Sequence, residues 1–373
     1  MSTTNDISCS SATVAPAARR TEVMLSDYRR IVVLTEGHTT PFSAKTAIGL
    51  LRFRGSDVIA ILDSETAGQT TQQALGHGGE TPVVASLSDV EAPDALFIGI
   101  SPAGGRLPPQ MKAAIHDAVQ RGIDVVSGLH DHLIEDPQLR SIAEQSGARL
   151  IDVRRNDLRE TAKHATFREG CLRIHTVGHD CSVGKMFTAL EVQRELVKRQ
   201  HDAEFLATGQ TGIMIAGQGI PIDSVVSDFV NGSIERLVQA HQEHDILLVE
   251  GQGSIVHPAY SAVTLGLLHG CAPHGLILCY EATRTNTKGL DHVPLKSLSE
   301  LKTLYEAMAS SRFPAEVIGV SMNGRRISAE EAEVEKQKVA AELGLPVCDV
   351  YRDGPGILAD AVLALEKKVG TCN

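Results

Sequence analysis

The chain of 373 residues is poor in aromatic side chains and has no paired cysteines. Tryptophan is absent and aromatic residues make up only 3%, so Val, Ile, Leu and Ala must fill the core, as is typical of parallel sheets covered by helices. The seven cysteines are scattered, odd in number and include no Cys-x-x-Cys pair. This spacing disfavours a disulfide framework or a zinc site and is typical of reduced thiols in a cytosol.

Excess positive charge and long apolar runs are also lacking. The formal net charge is −11, which argues against general nucleic-acid binding because phosphate backbones require clustered Lys and Arg. No apolar run approaches the roughly 20 residues of a membrane span. Residues 1–28 have no signal-peptide core and are predicted to form a disordered tail. We therefore expect a cytoplasmic globular protein without a membrane partner.

Short apolar runs alternate with helical patterns between about residues 29 and 160. The strand candidates are 31–34, 58–62, 82–87, 95–100, 124–128 and 150–153. Helical patterns are clearest over 43–54 and 109–121. This alternation predicts a parallel sheet with crossover helices, and hence a Rossmann-like N-terminal domain over residues 29–160. No Gly-x-Gly-x-x-Gly follows the first strand, so a nicotinamide cofactor is poorly supported.

A second alternation begins near Leu172 and predicts another doubly wound domain over residues 161–373. Its strand candidates are 172–177, 203–207, 246–249, 275–279, 317–320 and 346–350. Its helix candidates are 185–199, 231–242, 298–309, 329–343 and 360–368. The sequence therefore predicts an α/β protein with a Rossmann-like N-terminal domain and a P-loop NTPase-like C-terminal domain.

The clearest motif is a glycine-rich turn between the first strand and the first helix of the second domain. Its glycines let backbone N–H groups converge on a phosphate, and the helix N-terminus and Lys185 add positive charge. The loop is one residue longer than the usual phosphate loop. We predict that a phosphorylated cofactor is bound by Gly178, Asp180, Cys181, Ser182, Val183, Gly184, Lys185 and Met186.

Met186 is a departure from the usual phosphate loop. Ser or Thr normally follows the lysine and holds Mg²⁺, whereas Met offers no oxygen. Thr188 is the nearest hydroxyl and should face elsewhere on the helix. A cradle without a metal ligand favours a diphosphate cofactor such as coenzyme A over phosphoryl transfer, and we expect no metal.

A strand ending in Glu250 supplies the first candidate for a general base. Burial at a strand end raises the pKa of a carboxyl toward the working range of a base. His257 follows closely and is the rival, because the ordinary pKa of histidine is already near neutral. A helix-capping or core histidine is the alternative interpretation of His257.

Polar residues on the surrounding loops are candidate ligands. Arg284 and Lys288 suit a carboxylate or a phosphate, although a solvated loop is the alternative. Asn323 follows the strand 317–320 and occupies a loop that contacts the nucleotide base in related folds. We predict that the substrate is bound by Gln252, Ser254, Tyr260, Arg284 and Lys288.

Four segments together resemble one known family. They are Val177–Met186, Val249–Ser254, His257–Tyr260 and Thr264–Gly270. The family was long catalogued as a domain of unknown function, with a Rossmann-like N-terminal domain and a P-loop C-terminal domain, and its members include D-glutamate N-acetyltransferases that use acetyl-CoA. The resemblance covers most of the chain from about residue 30, with His179 standing where Thr is more usual.

The resemblance implies acetyl transfer from acetyl-CoA to the amine of an acidic amino acid, D-glutamate above all. The phosphate loop would hold coenzyme A, and Glu250 or His257 would take the proton of the amine. A backbone N–H of the 251–253 loop would stabilise the oxyanion. Cys181 lies near a helix N-terminus, which would lower the pKa of its thiol.

Two other functions stay open on the sequence alone. The loop also resembles that of dethiobiotin synthetase, an ATP-dependent enzyme whose loop has the same extra residue but Thr in place of Met186. A non-enzymatic nucleotide sensor is the third hypothesis. The expected partners are a small amino-acid substrate and further copies of the chain, in a dimer or a tetramer.

Overall fold

The chain folds into two parallel sheets, each covered by helices on both faces. A computed structural model describes residues 24–370, and the predicted tail at residues 1–23 lies outside the described residues. The strands of the N-terminal sheet are β1 (Ile31–Leu34), β2 (Val58–Leu62), β3 (Val83–Val84), β4 (Ala95–Ile98), β5 (Asp124–Ser127) and β6 (Leu150–Asp152). Its helices are α1 (Lys45–Phe53), α2 (Thr71–Leu75), α3 (Lys112–Gln120) and α4 (Pro137–Ser146).

The second sheet and its helices follow a linker, residues 153–171, that contains no helix or strand. The strands are β7 (Leu172–Gly178), β8 (Ala203–Leu206), β9 (Ile246–Val249), β10 (Gly275–Glu281), β11 (Asn286–Thr287), β12 (Leu290–Pro294), β13 (Glu316–Asn323) and β14 (Val347–Asp349). The helices are α5 (Lys185–Lys198), α6 (Gln210–Ala216), α7 (Val230–His241), α8 (Ser261–Cys271), α9 (Leu298–Ala309), α10 (Ala329–Leu343) and α11 (Gly356–Gly370). The predicted domain boundary at residue 160 falls within the linker.

The strand orders explain where ligands can bind. The N-terminal sheet runs β3-β2-β1-β4-β5-β6 and the C-terminal sheet β14-β13-β10-β7-β9-β8, with parallel pairing throughout. In such sheets the crevice for a ligand lies at the carboxyl ends of the strands. The short antiparallel pair β11–β12 stands apart from both sheets. The predicted fold class of two doubly wound domains is therefore confirmed.

The strands form where the sequence has short, continuous apolar runs. All four residues of β1 and all four of β9 are buried, as expected for strands covered on both faces. Helices α9 and α10 begin at capping boxes, in which Ser297 and Ser328 each accept from the backbone N–H three residues later, satisfying an otherwise unpaired donor. Within residues 24–370 no helix is long and apolar enough to cross a membrane.

The last residues of the predicted tail belong to the folded core. Leu25 and Tyr28 are buried in the core, and the Tyr28 hydroxyl donates to Asp124 Oδ2 at 2.8 Å. The prediction of a disordered tail was therefore wrong for residues 25–28. The polar composition before residue 29 hides these two apolar residues, whose burial is favourable only against the sheet.

The two domains share one hydrophobic core around α1 and α6. Residues of both domains form a single buried cluster that includes Leu50 and Met214. The hydroxyls of Thr46 and Thr211 lie 2.8 Å apart across this interface. Arg52 Nε donates to Glu191 Oε1 at 2.8 Å, so α1 is also tied to α5. The carboxyl edge of the N-terminal sheet is thereby held against the P-loop domain.

Candidate active site

The phosphate loop connects β7 to α5 through two residues in the left-handed region. Ser182 has φ +56° and Gly184 has φ +108°, a turn that directs successive backbone N–H groups toward one point. Lys185 is buried and its Nζ donates to the carbonyl oxygen of Asp180 at 2.8 Å. A Cβ on Gly178 would lie 3.0 Å from Lys185 Nζ. The loop thus has the shape and charge of a phosphate cradle, as the sequence predicts.

Asp180 anchors the loop rather than facing a ligand. Its Oδ1 accepts from the N–H of Cys181 at 2.6 Å, and its Oδ2 accepts from Arg284 Nη1 and from the N–H of Lys288, each at 2.8 Å. Arg284 also donates to Glu281 Oε2 at 2.6 Å. The structure therefore pairs Arg284 with two buried carboxylates. Arg284 is predicted to bind the substrate, but its guanidinium here holds the phosphate loop in place.

Lys288 reaches the phosphate loop from the turn between β11 and β12. Its Nζ donates to Ser182 Oγ at 2.8 Å, and the side chain is exposed to solvent. The structure thus brings together two predicted site residues that are 106 positions apart in the sequence. An ammonium group at the rim of the loop can donate a charge-assisted hydrogen bond to a phosphate bound in the loop.

His257 has no ring nitrogen left for a substrate. Its Nδ1 accepts from the N–H of Ala259 at 3.1 Å, and its Nε2 lies 3.3 Å from the carbonyl oxygen of Lys288. Nε2 must therefore carry the proton and donate it to that carbonyl. The ring is buried beside Tyr260, whose side chain is 52% exposed. The structure supports the structural interpretation of His257, which holds the Lys288 turn in place.

Cys181 does not become the activated thiol that the sequence suggests. Burial raises its pKa, although Lys185 opposes the shift. The ligand atoms of Asp180, Cys181 and His257 lie within 4.8 Å of one another, a spacing that a metal ion would accept. Both oxygens of Asp180 also accept hydrogen bonds, from Cys181, Arg284 and Lys288.

Glu250 lies directly after β9, on the same edge of the sheet. Its Oε2 accepts from the N–H groups of Thr208 and Gly209 at 2.8 and 3.0 Å. Burial nevertheless raises the pKa of Glu250 to about 7, with these hydrogen bonds and one from Gln252 opposing the shift. A Cβ on Gly212 would overlap Oε2, so glycine is needed there. A carboxyl with this pKa can accept a proton at neutral pH.

The loop after Glu250 contains two backbone donors without a partner. The N–H of Gly251 donates to Thr176 Oγ1 at 3.0 Å, so this group is already used. No hydrogen bond within residues 24–370 takes the N–H of Gln252 or of Gly253. The Gln252 side chain donates to Thr208 Oγ1 at 3.3 Å. Of the three backbone N–H groups predicted as oxyanion donors, those of Gln252 and Gly253 therefore remain available within the described residues.

Two buried side chains support the loops from behind. Ser254 is fully buried and donates to the carbonyl oxygen of His179 at 3.2 Å, so it is not placed to contact a substrate as the sequence suggests. The Tyr305 hydroxyl donates to Gly178 O at 2.7 Å and accepts from the N–H of Ile255 at 3.0 Å. Tyr305 lies on α9, far along the chain, and no sequence motif marks it.

The side chains of Met186 and Thr188, which follow Lys185, are both directed away from the phosphate loop. The side chain of Met186 is directed toward the N-terminal domain, since a Cβ on Gly49 of α1 would lie 3.8 Å from its Cε. The hydroxyl of Thr188 lies 2.7 Å from that of Ser321, which confirms that it faces away from the loop. Asn323 ends β13 on the same sheet edge, where its Oδ1 accepts from a neighbouring backbone N–H.

Gln210, at the start of α6, contacts the N-terminal domain. Its Nε2 lies 3.5 Å from the carbonyl oxygen of Ile100, just beyond β4. A Cβ on Gly128, just beyond β5, would overlap its Oε1, so the close approach requires glycine. These contacts place the carboxyl edge of the N-terminal sheet opposite residues 250–254, called here the Glu250 loop. The contact itself joins segments that are distant in the sequence, so spacing alone does not predict it.

Comparison with known proteins places this architecture in a family. Residues 64–156 match the Domain of unknown function (DUF1611_N) Rossmann-like domain, and residues 160–359 match the Domain of unknown function (DUF1611_C) P-loop domain. A crystal structure of a DUF1611 family protein from Anabaena variabilis is 35% identical, with a TM-score of 0.81 over 90% of this chain and 99% of that one.

Two relatives carry a functional name. A D-glutamate N-acetyltransferase from Tritonibacter scottomollicae is 37% identical over 325 residues, which is 87% of this chain and 95% of the relative. A D-glutamate N-acetyltransferase from a Pseudoalteromonas species is 36% identical over 260 residues, covering 69% and 78%. With its paired Rossmann-like and P-loop domains, the chain belongs to the DUF1611 family.

Proposed function

We propose that this protein is an N-acetyltransferase that moves the acetyl group of acetyl-CoA to the amine of an acidic amino acid, with D-glutamate as the acceptor. One observation carries the proposal: a phosphate cradle without a metal-binding hydroxyl shares a sheet edge with Glu250, whose pKa is about 7. The names of the two relatives support acetyl transfer and the acceptor.

The phosphate loop fits the anionic part of coenzyme A. Lys185 lies at the base of the cradle, where burial lowers the pKa of its amine and a bound anion would favour its charged form. Lys288 adds a positive charge at the rim. The glycine at 184 lets the N-terminus of α5 open onto the same point, where its partial charge favours an anion. Coenzyme A would supply the acetyl group as a thioester, and binding to the loop requires no metal.

Glu250 is the better candidate for the base. An amino acid carries its amine as an ammonium at neutral pH, and it must lose a proton before it can attack a carbonyl. Glu250 titrates near pH 7, in the range where a base is both unprotonated and able to take a proton. His257 is excluded from this role by its two hydrogen bonds. The unpaired N–H groups of Gln252 and Gly253 can stabilise the oxyanion.

An ATP-dependent reaction of the dethiobiotin synthetase type has less support from the same residues. Met186 offers no oxygen for Mg²⁺, and the hydroxyl of Thr188 is bonded to Ser321. Phosphoryl transfer relies on a metal ion to neutralise charge. A non-enzymatic sensor would bind a nucleotide in the cradle. It would not need a carboxyl whose pKa is near 7, as that of Glu250 is.

The test measures thiol release from acetyl-CoA in the presence of EDTA. The acceptors are D-glutamate, L-glutamate, D-aspartate and L-aspartate, each at a range of concentrations. Release that depends on D-glutamate and is insensitive to EDTA is the expected result. The Lys185→Ala variant should bind coenzyme A roughly 10- to 150-fold more weakly, the cost of a charge-assisted hydrogen bond. Lys198→Ala, at the far end of α5, is the matched control.

Two results would overturn the proposal. Thiol release with none of the acceptors, together with ATP hydrolysis once Mg²⁺ is added, would assign the chain to the synthetase type. Tight nucleotide binding without turnover of any amine would assign it to the sensors. We also propose a homo-oligomer of two or four copies, which light scattering of the full chain would test.

A further inference from the structure

The N-terminal domain brings a lysine to the rim of the phosphate loop. Lys45 is the first residue of α1, and three contacts hold this end of the helix against the P-loop domain. Thr46 is hydrogen-bonded to Thr211. Gly49 faces Met186 at the start of α5. The guanidinium of Arg325 lies 6.0 Å from the ring of Phe42, just before the helix.

Lys45 and Lys288 face each other at this rim. Lys288, Arg325 and Arg284 are the cations that surround the Lys45 amine. Lys288 in turn touches Ser182 of the phosphate loop at 2.8 Å. Neither lysine forms an ion pair with a carboxylate anywhere in residues 24–370. Neighbouring ammonium groups repel each other, because each like charge disfavours the charged form of the other.

An anion bound between the two amines would relieve this repulsion. Arg284 and Arg325 already have acidic partners, Asp180 and Glu281. Lys45 and Lys288 are therefore the uncompensated pair of the cluster. Burial and the neighbouring cations lower the pKa of Lys45 to about 8, so the free protein holds this amine ready to take up a proton when a negative charge arrives.

We propose that Lys45 of the N-terminal domain and Lys288 of the C-terminal domain together bind one phosphate group of the ligand in the cradle. The N-terminal domain is then part of the phosphate site, and ligand binding joins the two domains. The identity of the ligand as coenzyme A rests on the proposed function, but the phosphate chemistry does not. Ser182 shares the same phosphate through its hydroxyl, which already lies beside Lys288 Nζ.

The test is calorimetric binding of coenzyme A, ADP and inorganic pyrophosphate to the full chain and its variants. Lys45→Ala should bind coenzyme A roughly 10- to 100-fold more weakly, as expected when one charge-assisted hydrogen bond is lost. Lys45→Arg keeps the charge and should recover most of the affinity. Lys198→Ala is again the control, because its side chain is 78% exposed and lies at the opposite end of α5.

A second measurement separates ligand binding from a purely structural role. At pH 8.5 phosphate groups are fully ionised, whereas Lys45 is largely neutral in the free protein. Binding should therefore take up a proton, seen as a dependence of the heat on the ionisation enthalpy of the buffer. Lys288, Arg284 and Arg325 face Lys45, and the uptake should disappear in Lys45→Ala while the melting temperature stays close to that of the wild type.

The outcomes distinguish this inference from the proposed function. Unchanged affinity and unchanged proton uptake in Lys45→Ala would overturn the shared phosphate site. Binding of ADP and pyrophosphate that depends on Lys45, without any binding of coenzyme A, would uphold the site and refute the acetyl-CoA assignment. Wild-type protein that binds none of the three probes would refute both.

Discussion

Asp63 follows β2 of the N-terminal sheet just as Glu250 follows β9 of the C-terminal sheet, and both side chains are buried. Asp63 accepts from the N–H groups of Gly37 and Glu65 at 3.0 and 3.2 Å and from the Thr66 hydroxyl at 2.7 Å. Burial raises its pKa, but hydrogen bonds from Thr39 and from these three groups outweigh burial, so the pKa is lowered.

Glu250 has the opposite balance. Two backbone N–H groups share one of its oxygens, and burial still raises its pKa to about 7. The two acids occupy the same place in the same type of fold. Hydrogen-bond donors determine the direction of the pKa shift in one, and burial determines it in the other. The comparison teaches that the strand end positions a carboxyl, while the surrounding loop decides whether it can act as a base.

The strongest test of this comparison is to remove the charge from each acid in turn. Glu250→Gln should lower kcat by roughly 10²- to 10⁴-fold, because it removes the general base. Asp63→Asn should change kcat less than about threefold, within the scatter expected of a group remote from proton transfer. Thiol release with D-glutamate measures both. Equal losses in the two variants would mean that Glu250 has no special role.

The stability of the protein should also depend on Glu250, with a sign opposite to the usual one for an acid. Its folded pKa of about 7 lies above the ordinary value of 4.5, so the folded state loses stability as the pH rises between these values. The full cost, about 3 kcal/mol, is present above pH 7. Glu250→Gln should therefore be more stable than the wild type at pH 8 and similar to it near pH 4.5, as chemical denaturation would show.

Gly128 tests whether the N-terminal sheet edge positions the Glu250 loop. Gly128→Ala would force the side chain of Gln210 away, at a cost of roughly 1 to 3 kcal/mol in the free energy of unfolding. The KM for the acceptor should rise while the affinity for coenzyme A stays constant. Gly370→Ala, at a position without left-handed backbone where the added Cβ has no atom within 4 Å, controls for the loss of a glycine. A normal KM in Gly128→Ala would show that the two edges act independently.

The smallest effect is expected for the stability of Asp63→Asn. The amide replaces one acceptor oxygen, so the hydrogen bond from Thr66 is lost at a cost of about 1 kcal/mol. The lowered pKa of Asp63 means that its stabilising contribution is present above its unfolded pKa and is lost as the pH falls through the folded pKa. Melting temperatures at pH 3 and pH 7 should therefore differ less in the variant than in the wild type.

Much of the fold could be predicted from the sequence because its strands are short apolar runs between turns. The phosphate loop and Glu250 could also be found, since each depends on residues that are neighbours in the chain. The helix α6 was missed because it has only seven residues and contains Gly212, which lowers helix propensity. Contact with Glu250 requires this glycine. Tertiary packing, rather than helix propensity, therefore determines that this segment is helical.

The roles of several site residues could not be predicted from the sequence. Arg284, Ser254 and His257 lie near the motifs and have suitable chemistry, but the structure uses their donors and acceptors to hold the loops. Whether a polar atom is free for a ligand depends on the groups packed against it. Lys45 was missed for the same reason, because its neighbours at the rim belong to the other domain.

The shared core of the two domains has a consequence for how the chain is made. Leu50 of α1 is packed in one cluster with Phe187 and Met214, which a ribosome adds much later. At the usual pace of synthesis, roughly 10 to 30 seconds pass between Leu50 and Met214. During that interval the nascent N-terminal half presents an uncovered apolar face, which makes it a natural client for a chaperone until α6 has emerged.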